Sequence, residues 1–336
     1  MFLTYLLLIV GFAALLFGAD ILVAGASALA RKMRISEAII GLTIVAFGTS
    51  MPEFVVNVSA AIEGSGDIAL ANVIGSNVFN ILAILGCSAL VLPLAVDHDR
   101  RCFDIPIAIG SAIAVLILSQ DYLLRHIGQF GTALLQPESV SFSNPESVLS
   151  RLDGIILLVL FAGFMTYVVS STKKNRTADD DDTHHSTVKT SYWLVTLKIV
   201  GGLLLLVTGG KVIVNSAIEI AEYWGVSQRV IGLTIVSIGT SLPELATSVV
   251  AAFRRQSDIA VTNIVGSNIF NALFILGATA VIRPVAVNPF SLFDITLNLI
   301  ISVAILAIAF GPKHRIGRIP AAIMLAAYIA YVIYLI

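Results

Sequence analysis

Charge is what this chain is short of. Only 12% of its 336 residues are Asp, Glu, Lys or Arg, against 57% hydrophobic, and the mean hydropathy is +0.96. A soluble domain of this length needs far more charge to cover its surface. The formal net charge of −1 gives no basis for a nucleic-acid partner. Cysteine is nearly missing too. Cys87 and Cys102 alone build neither a disulfide framework nor a zinc site. The five histidines fall in loops or near helix ends, which argues against a histidine proton relay at membrane depth. There is no His-Glu-x-x-His and no Gly-x-Ser-x-Gly, so an intramembrane hydrolase lacks its motifs. No resident cofactor is expected.

What the chain has instead is apolar runs, each long enough to cross a bilayer at about 20 residues. The reading is all-α: ten transmembrane helices near 3–30, 38–62, 69–93, 103–120, 151–172, 191–221, 228–252, 260–282, 291–311 and 318–336. The first run lacks a basic leader and is long for a cleaved signal, so it reads as a retained helix. Fourteen basic residues, from Arg31 to Arg318, fall on one side of this layout, and four (Arg125, Arg151, Arg229 and Arg283) on the other. The basic side is expected to be cytoplasmic, with both termini outside. Residues 121–150 read as an external loop. Residues 173–190 read as a cytoplasmic linker carrying Asp179, Asp180, Asp181, Asp182, His184 and His185. Like-charge runs usually solvate, so that cluster reads as a solvated linker before a regulatory cation site.

The decisive feature is self-similarity. Residues 36–86 and 227–277 align without a gap at an offset of 191, and more than half of the positions match. Gly18-Ala19-Asp20 matches Gly209-Gly210-Lys211 more weakly. The domain reading follows: a five-helix repeat at 1–172, the linker at 173–190, and a second five-helix repeat at 191–336. An odd number of spans makes the second copy enter from the opposite side, giving an inverted repeat of the kind that frames a central site in secondary transporters. The best-matched positions are polar ones at membrane depth, which is costly without a function.

Two motifs carry the chemistry. Gly-Thr-Ser-x-Pro-Glu occurs at Gly48–Glu53 and Gly239–Glu244. Proline removes a backbone donor and clashes with the carbonyl four residues back, so carbonyls near Gly48 and Gly239 leave the helical ladder. In lipid such carbonyls need a partner, and a cation supplies one. Thr49 and Glu53, like Thr240 and Glu244, lie one turn apart on one face. A hydroxyl, loosened carbonyls and a carboxylate are hard oxygen ligands, suited to sodium and calcium. The next helix of each copy carries Gly-Ser-Asn-x-Phe-Asn, which places Ser76 with Asn80 and Ser267 with Asn271. Its glycines permit close helix approach. Asn72 and Asn263, a turn earlier, read as neighbours that orient the ligands. Asp20 and Lys211 read as helix anchors or ion-pair partners. Asp67, Asp104, Asp258 and Asp294 read as helix caps, and Glu219 and Glu222 as solvated groups near a helix end.

The paired Gly-Thr-Ser-x-Pro-Glu and Gly-Ser-Asn motifs resemble the two alpha repeats of the cation/calcium exchanger superfamily, in its compact prokaryotic form. The likeness spans both repeats. It implies a central calcium site flanked by sodium sites, with Glu53 and Glu244 as the calcium carboxylates that also take sodium. Thr49, Ser50, Thr240 and Ser241 would add backbone or hydroxyl oxygens, and Ser76 and Ser267 would complete the outer sodium sites. Ala46 and Ser237 would contribute carbonyls. It further implies that the first and sixth helices slide across the core, and that three sodium ions exchange for one calcium ion across a prokaryotic inner membrane. One position departs: Asn271 stands where several relatives, potassium-dependent ones included, carry Asp. The central charge then comes from the two glutamates alone. Alternatives stay open: a calcium/proton antiporter on the same scaffold, and a passive cation channel.

Overall fold

The structure, a computed structural model, describes residues 1–64, 66–119, 147–178, 191–225, 237–287 and 289–335. The acidic linker residues 179–190, most of the expected loop 121–150 and the start of the expected helix 228–252 lie outside them.

The described chain is mainly helical. Helix α1 is Phe2–Met33, closed by Arg34 in the left-handed region and by Arg31 and Lys32 in its last turn, where cations complement the helix dipole. Next come α2 (Glu37–Thr49) and α3 (Met51–Glu63), two pieces of one apolar stretch bent by 46°. The bend falls at Ser50, whose φ −83°, ψ 7° leaves the helical path. Pro52 follows in the first turn of α3, where its missing N–H is no loss. Then follow α4 (Ala69–Val91), α5 (Arg100–Leu118), α6 (Arg151–Ala178) and α7 (Tyr192–Tyr223). After a short turn at Ser237–Gly239 come α8 (Leu242–Phe253), α9 (Ser257–Ile282), α10 (Pro289–Ala309) and α11 (Arg318–Leu335). Among the described residues, seven helices are long and apolar enough to cross a membrane, or eight with the bent pair counted as one. Leu242–Phe253 and Arg318–Ile333 are shorter apolar helices.

Helices α4 and α9, which carry the Gly-Ser-Asn motifs, form the centre. Their apolar windows are 83% buried, against 33% for α1 and α7. Both contain a wide π turn, Asn80–Leu85 and Phe270–Ile275, one residue out of the 191-residue register, a distortion common beside functional sites. At the periphery, α1 and α7 pack along each other through glycines. A Cβ built on Gly18 would stand 2.8 Å from Leu205 Cβ, and one on Gly202 would stand 2.8 Å from the Leu22 nitrogen. Only glycine allows backbones this close. At Gly266 a Cβ would lie 2.8 Å from Ala46 Cβ, so α9 rides against α2.

Four short strands tie the ends. Leu94–Ala95 (β1) pairs antiparallel with Arg315–Ile316 (β4), and Ser147–Leu149 (β2) pairs with Val285–Val287 (β3). In the second pair Val148 faces Ala286. Each pair joins the two halves of the sequence. β2 replaces the tail of what the sequence suggested was an external loop. Its backbone groups are satisfied by β3 instead of water.

Several expected caps are corrected. Helix α5 begins at Arg100, so Asp104 stands a full turn inside it and pairs with the buried Arg100 guanidinium. Asp294 lies within α10 and accepts a 3.0 Å hydrogen bond from the Tyr331 hydroxyl. At α9 the cap position is Gln256, and Asp258 belongs to the first turn, where a negative charge favours the dipole without capping. Glu219 accepts a 2.8 Å bond from Thr4 on α1, so it joins α1 to α7. The Asp67 side chain lies outside the described ones.

Candidate functional site

The bend between α2 and α3 places the first turn of α3, with Glu53, deep in the protein. α8 does the same for Glu244. Both glutamates are 1% exposed, and Ser50 and Ser241 are fully buried. Ser241 Oγ donates to Glu53 Oε1 at 2.7 Å, and Ser50 Oγ donates to Glu244 Oε1 at 2.8 Å. The contacts are reciprocal. Adding 191 to Ser50 and subtracting 191 from Glu244 turns one bond into the other. Each motif's serine therefore holds the other motif's carboxylate, and the two copies meet at one centre.

In each glutamate only Oε1 is engaged. Oε2 of Glu53 and of Glu244 is buried without a hydrogen-bond partner. Two buried carboxylates with unpartnered oxygens are expensive in a low-dielectric interior, and carboxylate oxygens are ligands of the kind a hard cation takes.

The second motif supplies a lattice of amides. Asn77 Nδ2 donates to the Asn268 carbonyl at 3.3 Å, and Asn268 Nδ2 donates to the Asn77 carbonyl at 3.4 Å. Each side-chain oxygen then accepts from across the pseudo-symmetric pair: Asn80 Nδ2 donates to Asn268 Oδ1 at 3.0 Å, and Asn271 Nδ2 donates to Asn77 Oδ1 at 3.1 Å. The amide orientation follows from this network. Asn77 and Asn268 spend their N–H groups on carbonyls, so Asn80 and Asn271 must present theirs. Their Oδ1 atoms are left buried without partners, and an amide oxygen is a hard ligand.

The other expected residues divide. Thr49 Oγ1 lies 3.3 Å from both the Ala46 carbonyl and Asn263 Oδ1. Asn263 Nδ2 in turn donates to Ser248 Oγ at 2.9 Å. The Ala46 carbonyl, which the family resemblance implies as a sodium ligand, also accepts the Ser50 N–H at 3.0 Å, so it is engaged within the bend. Proline releases the carbonyl four residues before it, at Gly48, while the Ser50 N–H still reaches back to Ala46. Ser76 Oγ lies 3.2 Å from Ser241 Oγ, which brings it into the centre. The Ser267 and Thr240 hydroxyls are buried without hydrogen-bond partners. The Ser237 side chain lies outside the described ones. Asn57, fully buried, donates to the Glu53 carbonyl at 2.8 Å. Sequence reasoning passed over Asn57, Asn77, Asn268 and Ser248. The repetition of Asn77 and Asn268 inside the Gly-Ser-Asn motif was the available signal.

The family model described as sodium/calcium exchanger protein matches residues 3–170 and 194–336. The chain belongs to the sodium/calcium exchanger protein family. The stretch that this exchanger-family model skips, 171–193, contains the acidic linker. Relatives align end to end. The sodium/calcium exchanger MaX1 of Methanosarcina acetivorans is 33% identical over 98% of both chains. The inner membrane protein YrbG of Escherichia coli K12 is 32% identical over 95% of this chain and 92% of its own. The sodium-calcium exchanger NCX_Mj, solved after soaking without sodium or calcium, superposes with a TM-score of 0.80. It is 26% identical and covers 100% of this chain and 99% of its own. With its apolar helices, this exchanger-family chain is an integral membrane transport protein.

Proposed function

We propose that the chain exchanges sodium for calcium across a prokaryotic inner membrane by alternating access. Ten helices form two inverted five-helix repeats, at 1–172 and 191–336, joined by the linker 173–190 on the cytoplasmic side, with both termini outside. The observation that carries this reading is the reciprocal pair of bonds, Ser50 to Glu244 and Ser241 to Glu53, with both Oε2 atoms unpartnered and buried.

Glu53 and Glu244 are the calcium carboxylates. Oδ1 of Asn80 and Asn271 and the hydroxyls of Thr49, Thr240, Ser76 and Ser267 add neutral oxygens around them. Ser50 and Ser241 position the carboxylates, and the backbone at Ala46 and Ser237 completes the outer sodium positions. Two like charges in a dry site repel when nothing neutralises them. The empty site therefore resists the change of access, while calcium or several sodium ions permit it. That requirement is what couples the two fluxes. The namings of MaX1 and NCX_Mj as sodium/calcium exchangers support the choice of ions.

The test is radioactive calcium uptake into proteoliposomes loaded with sodium and diluted into sodium-free buffer. Potassium-loaded vesicles and vesicles with an imposed proton gradient serve as parallel arms. Uptake that requires internal sodium is expected, and Glu53→Gln or Glu244→Gln should reduce it at least a hundredfold while the protein still folds. Uptake driven by protons would replace the coupling ion, and normal exchange in both variants would remove the site assignment.

A further inference from the structure

Four charged residues outside the central site obey the same 191-residue relation. Asp20 on α1 matches Lys211 on α7, and Arg254 at the end of α8 matches Glu63 at the end of α3. The first cross pair is made: Arg254 Nε donates to Asp20 Oδ1 at 2.7 Å, and Nη2 lies 2.5 Å from the same oxygen. Its counterpart, Lys211 with Glu63, carries the opposite arrangement of signs, and among the described residues it makes no ion pair. Packing shows the same inequality. α1 lies along α8, whereas α7 makes no comparable contact with α3.

Asp20 and Lys211 sit on one body. α1 and α7 interlock through Gly11 and Gly18 against Gly202 and Gly209, matched positions of the two halves, and a Cβ at any of them would meet the other helix at 2.8–2.9 Å. Thr4 and Glu219 add a bond inside that body. Arg254 and Glu63 sit on the core helices that hold the two glutamates. Under the topology proposed above, Arg254 lies at the cytoplasmic face and Glu63 at the external one.

We propose that Asp20–Arg254 and Lys211–Glu63 are alternating latches, positioning residues that hold the α1/α7 body against the core at one face or the other, each formed only when its counterpart is broken. Their reversed signs keep each residue of the body from pairing with the wrong residue of the core, since Asp20 attracts Arg254 and repels Glu63 while Lys211 does the reverse. The side chains of the formed pair are 37% and 47% exposed. Neither charge of the formed pair is enclosed by the protein, so the pair can part without opening the core. The inference rests on the exchanger reading for its cycle, but its test does not need the ions to be known.

The full chain is reconstituted in a Cys87→Ser/Cys102→Ser background. Cysteine pairs are placed at Asp20/Arg254 and at Glu63/Lys211 and treated with a short, reducible bifunctional thiol reagent. Both pairs are expected to link, each in its own fraction of molecules, with the fractions shifting in opposite directions between sodium and calcium. In the fourfold variant, linking one pair should block the other. Either link should lower exchange at least tenfold, with recovery on reduction. The charge exchange Asp20→Arg/Arg254→Asp should recover most of what Asp20→Arg alone loses, which a purely structural surface contact would not show. Failure of Glu63/Lys211 to link in any ion condition, or linking of both pairs in one molecule, overturns the proposal. Absence of exchange in the cysteine-free parent would instead count against the exchanger reading and leave the linking comparison intact.

Discussion

Among the described residues Asn77 and Asn268 hydrogen-bond to neither glutamate, yet they fix the amide orientation of Asn80 and Asn271. Asn268→Ala removes the acceptor that fixes the Asn80 amide and the donor to the Asn77 carbonyl. A net buried hydrogen bond contributes about 1 kcal/mol, so the half-saturating calcium concentration is expected to rise roughly fivefold. Calcium titration of sodium-driven uptake measures it, and an unchanged half-saturation would mean that the Asn80 amide is held by something else. Asn77→Ala should give a matching shift through Asn271. At this scale the sequence was legible where chemistry is costly. A glutamate beside a proline at membrane depth, present twice, already marked Glu53 and Glu244. It was less legible where the role is mutual. That Ser50 serves Glu244 and not its own neighbour Glu53 depends on how the two copies face each other. Local spacing contains nothing of that. Asn57 and Ser248 escaped because a single polar residue on a tightly packed helix face does not differ in sequence from a packing residue.

The interface between α1 and α7 makes a sharp prediction for whole elements. A side chain at Gly18 would collide with Leu205 Cβ at 2.8 Å and the Leu206 nitrogen at 2.9 Å. The second contact is backbone, so the helices must separate. Overpacking of this kind costs roughly 1–3 kcal/mol. Gly18→Val should lower the thermal midpoint of the detergent-solubilised protein by several degrees. Gly201→Ala is the control, because a Cβ there meets nothing within 4 Å. Equal midpoints for both variants would show that the glycines do not set the helix approach. The Arg100–Asp104 pair on α5 predicts a larger effect. Breaking a buried pair leaves an uncompensated charge and costs about 3–5 kcal/mol, so Asp104→Asn should destabilise the fold more than Gly18→Val in the same assay. Helices were the most legible elements, because twenty apolar residues in lipid have few alternatives. Their expected ends mostly fall within three residues of the observed ones. The caps were misread because an aspartate near a helix start can equally join the first turn, as Asp258 does, or find a partner inside the helix, as Asp104 and Asp294 do. The strands were invisible for a different reason: two- and three-residue pairings between distant loops have no periodicity of their own.

For the molecule as a whole, the charge of the site sets what the membrane potential can do. Under the proposed function, with Asn at both position 80 and position 271, the carboxylate charge of the centre is two negative, from Glu53 and Glu244. Calcium brings that charge to zero. Two sodium ions would do the same, and the cycle would then be electrically silent. Three sodium ions, the number the family resemblance implies, would leave the loaded site with one positive charge, so one net charge would cross per cycle. Moving one charge across the membrane is worth about 2.3 kcal/mol per 100 mV, a factor of roughly fifty in the equilibrium calcium ratio. An inside-positive potassium diffusion potential of that size, set with valinomycin, should therefore raise sodium-driven calcium uptake, and an inside-negative one should depress it. The direction follows because sodium leaves the vesicle as calcium enters, so each cycle exports one net positive charge. Uptake that ignores the imposed potential in both directions would fix the cycle at two sodium ions per calcium. The two glutamates would keep their proposed roles, and one of the outer sodium positions proposed above would be removed.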